Sequence, residues 1–339
     1  MKDEKEVPKQ ITIDNLNSQV YCMLKINPIN YQENGNDINL QLVAIGFSIG
    51  RIYLINLSTM EIHQLIKESN SIYSLCQFKN NSKYLICSLS TGHISIYILK
   101  DKFYQQIQKI QKPSDFRKGA INKVIALSNG DLAAADQGSI SIWKQSKDES
   151  NNIINEFEFF KEIITDNDTC HMIEVNPNIF ACAIFKEKLI KIYKNNGNDY
   201  PLLGKIKNVE SHGNNSNGMA KINDKMFCLG GKNYFVYVVC VEPVQLIQKI
   251  KFVNKVSLGC ITCLYASNNR FIFVAIDENI LQFKIRNDEK NNFVEFEKFD
   301  IIKNKEKSSG AIITTDDGKI FYQLKSEKAT FYICPFKTS

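Results

Sequence analysis

Tryptophan is nearly missing from these 339 residues: Trp143 stands alone. Histidine is scarce as well. His63, His93, His171 and His212 show no H-x-x-x-H spacing, which argues against a helix-borne zinc site. No G-x-S-x-G elbow exposes a serine nucleophile. Gly230-Gly231-Lys232 fails as a phosphate loop, because Met226 stands where its first glycine belongs and Asn233 where its Ser or Thr belongs. Long apolar runs are lacking too. The best, Tyr234 to Val241, is far short of the roughly 18 residues that a membrane helix needs. Met1 to Glu6 is charged and has no apolar signal-peptide core. Apolar residues at i, i+3, i+4 and i+7 are sustained nowhere, so helices are not expected.

The charge balance is mild. With 42 basic and 36 acidic residues the net charge is +6, without the clustering of a nucleic-acid surface, and no specific nucleic-acid binding is expected. The ten cysteines sit singly in apolar stretches, as Cys87, Cys182 and Cys228 do. That is the placement of reduced, packed thiols, and it implies an intracellular protein, with the cytoplasm as the expected compartment. Cys260 and Cys263 have C-x-x-C spacing, but on a strand residues three apart point to opposite faces. No metal and no cofactor is expected. Asp166, Asp168, Asp316 and Asp317 read as solvated turn carboxylates, and 303–307 as a solvated charge run.

What the sequence does contain is a repeat. A tight turn followed by a strictly alternating strand occurs at Gly50-Arg51-Ile52-Tyr53-Leu54-Ile55 and at Gly92-His93-Ile94-Ser95-Ile96-Tyr97. It recurs at Gly138-Ser139-Ile140-Ser141-Ile142-Trp143 and at Lys188-Leu189-Ile190-Lys191-Ile192-Tyr193. Weaker copies start at Asn233, Asn279 and Glu327, giving intervals of 42, 46, 50, 45, 46 and 48 residues. Glycine and asparagine tolerate the positive φ of such turns. Other slots recur in step: Met172-Ile173-Glu174-Val175-Asn176 returns as Met219-Ala220-Lys221-Ile222-Asn223, and Ile107-Gln108-Lys109-Ile110 as Ile247-Gln248-Lys249-Ile250. Units of four short strands at this period point to an all-β propeller.

The segment from Ala120 to Trp143 resembles a WD40-repeat blade in strand order and turn placement, and the pattern covers essentially the whole chain. Most signature residues are absent. Lys144 follows Trp143 where the family has aspartate, and Gln137 takes the place of the structural aspartate, with Asp136 one residue early. The blades are therefore expected to rest on apolar packing and strand pairing rather than on the family's polar network. The resemblance implies one seven-bladed β-propeller over residues 1–339, built of four-stranded antiparallel blades. An N-terminal strand at about 9–14 would close the ring by completing a last blade at about 306–336. Long polar segments at 27–39, 145–152, 195–199 and 286–292 read as solvated loops.

A propeller of this kind is expected to be a non-enzymatic protein-interaction scaffold and a subunit of a larger complex. Partner proteins would meet its top face, formed by the loops entering each blade and the turns between second and third strands. Those loops supply Phe47, Lys67, Phe116, Arg117, Lys118, Phe185, Lys186, His212 and Lys255. Aromatic and basic side chains are what interfaces favour, although Phe116 and Phe185 could equally tuck under their own loops. Phe116-Arg117-Lys118-Gly119 also resembles the Phe-Arg-Arg-Gly motif of phosphoinositide-binding propellers. A lipid- or small-ligand-binding role is the alternative, and the only reading that brings the protein to a membrane. Against it, lysine replaces the second arginine, and the motif precedes the third blade rather than lying near the fifth.

Overall fold

The computed structural model describes residues 9–13, 18–33, 35–79, 81–114, 116, 119–147, 153–210, 218–232, 234–251, 263–267, 271–276, 279–288, 293–303, 308–315, 319–325 and 329–335. Among these residues all regular structure is β, and none forms a helix long and apolar enough to cross a membrane. The chain opens with β1 (Lys9–Ile13), β2 (Val20–Lys25), β3 (Ile29–Glu33), β4 (Asn36–Leu40), β5 (Leu42–Phe47), β6 (Arg51–Asn56) and β7 (Glu61–Lys67). The first antiparallel array has the order β2-β5-β6-β7. The second is built from β8 (Ile72–Phe78), β9 (Asn81–Leu89), β10 (His93–Lys100) and β11 (Phe103–Gln111). Then come β12 (Lys123–Ala126), β13 (Leu132–Ala135), β14 (Gln137–Lys147), β15 (Ile153–Asn176), β16 (Ile179–Ile184), β17 (Leu189–Lys194) and β18 (Leu202–Lys207).

β15 serves two arrays. Its residues 153–168 pair with β14 as the outer strand of the third, and residues 169–176 pair with β16 as the inner strand of the fourth. Asp166 and Asp168, expected in a turn, therefore lie inside one long strand, with Asp166 at φ +70°. The fifth array is β19 (Met219–Lys221), β20 (Met226–Gly230), β21 (Phe235–Val241) and β22 (Val244–Lys251). The sixth is β23 (Cys263–Ser267), β24 (Phe271–Ile276), β25 (Asn279–Asp288) and β26 (Phe293–Lys303). The last joins β27 (Ser308–Thr314), β28 (Lys319–Lys325) and β29 (Ala329–Pro335) to β1, which pairs with β29 from Lys9↔Ile333 to Ile13↔Ala329.

Four of the second strands are apolar throughout and buried on both faces: LVAIGF in β5, LAAA in β13, IFACAI in β16 and MFCLG in β20. Such strands need cover on two sides, as each array receives from its neighbours. Every main hydrophobic cluster straddles two consecutive arrays. One packs Leu42, Ala44 and Leu54 against Leu85, Cys87 and Leu89; another packs Ile45, Phe47 and Tyr53 against Phe321 and Phe331. Each fully buried side chain of this size contributes about 1.5–3 kcal/mol by leaving water. First strands lie side by side in succession: β2 with β8, β8 with β12, β12 with β15, β15 with β19, β19 with β23, β23 with β27, and β27 with β2.

A second device ties the outer strands together. In six arrays the register between third and fourth strands slips at the same place, as at Leu54/Ile55, Ile96/Tyr97 and Val238/Val239. A bulge re-aims the next side chain, here towards the following array. Gln64 brackets Tyr104, with its amide donating to the Tyr104 carbonyl (2.8 Å) and accepting from the Tyr104 N–H (2.9 Å). Gln108 does the same to Phe157 (3.0 and 2.9 Å), and Gln248 accepts from Val294 N–H (3.0 Å). The equivalent Lys161 reaches Asp199 instead. At Gly204 no side chain fits, since a Cβ would stand 2.8 Å from Val244 of the next array. The repeated Ile-Gln-Lys-Ile is thus the signature of this clasp.

Further sequence expectations change. The segment 27–39 is no plain loop: β3 and β4 form a hairpin rooted by buried Ile29 and Leu40 and held outside by Lys102, which pairs with Glu33 at 3.0 Å. The fifth copy of the turn shifts by one residue, because Tyr234, at φ +61°, holds the place of Gly50. Strands also extend into two other expected loops, to Lys147 and to Asp288; 148–152 and 289–292 lie outside the described residues.

Candidate functional site

The connections that enter each array and the turns between its second and third strands meet at one end. They interlock by backbone hydrogen bonds: Glu68 N–H to Gly50 O (2.7 Å), Ser90 N–H to Ser71 O (3.0 Å), Val209 N–H to Lys188 O (2.9 Å) and Lys232 N–H to Glu210 O (2.9 Å). Gly50 allows this approach. It has φ +73°, and a Cβ there would stand 2.4 Å from Glu68 O. Backbone so pinned presents its side chains on a fixed frame.

One part of this surface spans the third to fifth arrays. Phe185 is half-buried against Val209 and Phe227, and the Lys232 ammonium lies 5.0 Å above its ring. Lys186 is exposed, 3.9 Å from Asp168. Lys188 pairs with Glu210 at 2.6 Å, and that hydrogen bond and charge hold the Glu210 carboxyl below its ordinary pKa. Asn167 donates to Glu187 at 2.7 Å. The surface here is of mixed polarity rather than basic. Glu210 was not singled out from the sequence, and Lys188 and Lys232 were marked only as turn residues, not as members of a surface.

The other expected residues fall elsewhere. Phe47 is fully buried, edge-on to Tyr53 and Phe331, and offers no surface: it ends an inner strand covered on both faces. Lys67 is exposed at the end of β7, opposite Arg51. Phe116 is half-buried, its ring centroid 4.7 Å from that of Phe159. Arg117, Lys118, His212 and Lys255 lie outside the described residues. Structure brings Phe185 and Lys186 together, and places Lys67 in the first array and Phe116 on the connection into the third.

Beneath the Phe116 connection lies a buried polar cluster. Lys112 Nζ stands 2.5 Å from Asp136 Oδ2, 2.6 Å from Glu162 Oε1 and 2.6 Å from Ser139 Oγ. Ser139 N–H donates to Asp136 Oδ1 at 3.1 Å. Burial opposes ionisation of Glu162, but hydrogen bonds from Lys112 and Ser139 and the lysine's charge outweigh it and lower the pKa. Trp143 Nε1 donates to Ser141 Oγ (3.1 Å) alongside. The expectation of purely apolar joints is therefore corrected: Asp136 anchors a polar network that Lys112 completes from the preceding array.

Cys22, Cys76, Cys87, Cys170, Cys182, Cys228 and Cys240 are buried and free, and burial pushes Cys22, Cys76, Cys182 and Cys228 up to about 12. Cys260 of the C-x-x-C pair lies outside the described residues, as do Asp316 and Asp317 and most of the 303–307 run. Among the described residues no group of three or more His, Cys, Asp or Glu could hold a metal ion.

No family model matches the sequence, and no curated protein matches it either. Solved structures do match in shape. The structure of U3-55K superposes with a TM-score of 0.72 at 8% identity, covering 97% of this chain and 100% of that one. The RRP9 WD40 repeats give 0.71 at 8% identity, with 97% of each chain covered. The β-propeller domain of Cps50 (Swd1) from Myceliophteria thermophila gives 0.65 at 11% identity, covering 97% and 100%.

Proposed function

Proceeding from a chain with the WD40 β-propeller fold, we propose that residues 1–339 form one closed seven-bladed ring that serves as a non-enzymatic protein-interaction scaffold inside the cell, as a subunit of a larger assembly. Ring closure is supported by the unbroken succession of first strands, which returns from β27 to β2, and by β1 pairing with β29. The observation that carries the functional reading is the interlocked end of the arrays. Its turns hold half-buried Phe185, exposed Lys186 and the Lys188–Glu210 pair on pinned backbone. A rigid, polar-rimmed surface with partly exposed aromatics suits a protein partner of mixed polarity.

The test is affinity purification of the full chain from its native source, with two folded variants beside it. Lys186→Glu with Lys232→Glu alters the Phe185 patch; Arg117→Ala with Lys118→Ala alters the Phe116-Arg117-Lys118-Gly119 motif. The melting temperature of the first variant should stay within a degree or two of the parent, because the exposed Lys186 and Lys232 contribute little to stability, and that of the second is measured beside it as the check on folding. Loss of the co-purifying protein from either variant is the expected result. Retention by both would remove the partner from this face, and loss of binding to anionic vesicles by the second variant alone would favour the lipid alternative.

A further inference from the structure

The charge balance of the candidate surface changes across the joint between the fourth and fifth arrays. Near Phe185 the signs are mixed, with Lys186 beside Asp168 and Asn167 bonded to Glu187. Towards the outer strand of the fifth array they are not. β22 places Lys249 and Lys251 opposite Tyr237 and Phe235 of β21, so both lysines project from the face turned to the fourth array. No Asp or Glu occurs from Val244 to Ile276 to balance them. Lys188 and Lys232 come to the same joint from two turns, and the Glu210 carboxylate is set against them. Glu210 pairs with Lys188 at 2.6 Å, and the charges of Lys249 and Lys232 add to the lowering of its pKa. Lys232, Lys249 and Lys251 form no ion pair with another described residue.

Two of these ammonium groups are seated on rings. Lys232 Nζ stands 5.0 Å from the centroid of the half-buried Phe185 ring, and Lys249 Nζ stands 4.3 Å from that of Phe235 and 5.5 Å from that of Tyr237. A ring face holds a flexible lysine in place and leaves N–H donors pointing away from it. Like charges gathered without counter-charges oppose folding, whereas charges already fixed in position are ready for an anion. We propose that Lys188, Lys232, Lys249 and Lys251 bind an acidic segment of a partner protein, whose carboxylates enter beside Glu210. This rests on the interaction-scaffold reading and gives the chemistry of the docking segment. Because ammonium groups cover the rings, they offer no stacking platform of the kind a single-stranded nucleic acid uses. The exposed leucines of the two outer strands, Leu202, Leu203 and Leu246, lie towards the other ends of β18 and β22. The apolar side chains that would enter a lipid surface are thus set away from the lysines.

Fluorescence anisotropy of the full chain with a short labelled peptide of alternating Asp and Glu, in about 0.15 M salt, tests this. The peptide should bind roughly tenfold or more tightly than one of alternating Asn and Gln of the same length. Lys232→Glu with Lys249→Glu should weaken binding roughly tenfold or more. Lys249→Gln with Lys251→Gln, which removes charge without reversing it, should weaken it several-fold. Glu210→Gln, which frees Lys188, should strengthen it about two- to fivefold. Lys205→Glu with Lys207→Glu makes the same change in net charge as the first variant. Lys205 lies opposite Lys191, which bonds to Thr165 of the third array, so that change falls on the other side of the fourth array, where salt screens it from the site. Affinity there should stay within about twofold of the parent. The substituted lysines are exposed, so melting temperatures should match the parent. Four results would each overturn the proposal: no preference over the neutral peptide, equal weakening by the Lys205 and Lys207 reversal, no gain from Glu210→Gln, or tighter binding to phosphatidylserine vesicles or single-stranded oligonucleotide than to the acidic peptide. Loss of the co-purifying protein from Lys186→Glu with Lys232→Glu, in a chain whose parent does not bind the acidic peptide, would keep the scaffold reading and overturn this one alone.

Discussion

Two joints between arrays solve one problem with opposite signs. Between the first and second arrays, Glu68 comes from the connection and Lys109 from the outer strand, 3.2 Å apart, and Tyr97 donates its hydroxyl to Glu68. Between the second and third, the same two places hold Lys112 and Glu162, 2.6 Å apart. The connection residue of each joint, Glu68 or Lys112, is two residues past the last buried isoleucine of an outer strand, Ile66 or Ile110. The reversal teaches that complementarity across the joint matters, not the identity of either residue. A repeat held this way can lose its signature side chains while keeping its geometry. The second joint adds Asp136 and Ser139 and is the more deeply buried, since Lys109 is still about one-third exposed.

That difference sets the size of the expected effects. The largest belongs to Lys112→Met, which leaves Asp136 and Glu162 buried without a counter-charge. A loss of about 3–5 kcal/mol is expected, read as a clear fall in melting temperature or denaturant midpoint. An unchanged midpoint would mean that solvent reaches the cluster. Next comes the first joint. Glu68→Lys and Lys109→Glu should each cost about 1–3 kcal/mol, whereas the double exchange, which copies the polarity of the second joint, should recover most of it. Additive losses in the double variant would show that the two joints are not equivalent. The smallest effects concern the outer-strand clasps. Gln108→Ala removes two hydrogen bonds to Phe157 and should cost about 1–2 kcal/mol, while Lys161→Ala, on an exposed ion pair, should cost under about 1 kcal/mol. Equal losses at both would show that packing at the bulge, not the amide clasp, joins the outer strands.

Much of the fold was legible because strand and turn are local. The alternation after Gly50, Gly92, Gly138 and Lys188 marks third strands that the structure contains, and all four turn residues have positive φ. Errors came where local pattern gives no signal. Phe47 sits beside a turn and read as a loop residue, yet β5 is covered on both faces. Polar 27–39 read as a solvated loop, yet Ile29 and Leu40 are enough to root a hairpin. Asp166 and Asp168 read as turn carboxylates, yet the backbone runs on between two sheets. The candidate surface was only half legible for the same reason: Phe185 and Lys186 are turn neighbours in sequence, whereas Lys232 and Glu210 reach them only through the next array.

By itself the sequence determined the hairpins, their spacing and which strands are apolar on both faces, because alternation and turn conformation act over a few residues. Only the tertiary structure decided that Lys112 meets Glu162, that Gln108 brackets Phe157 and that Tyr97 meets Glu68. These partners lie 50, 49 and 29 residues apart, a separation over which side-chain complementarity leaves no local pattern.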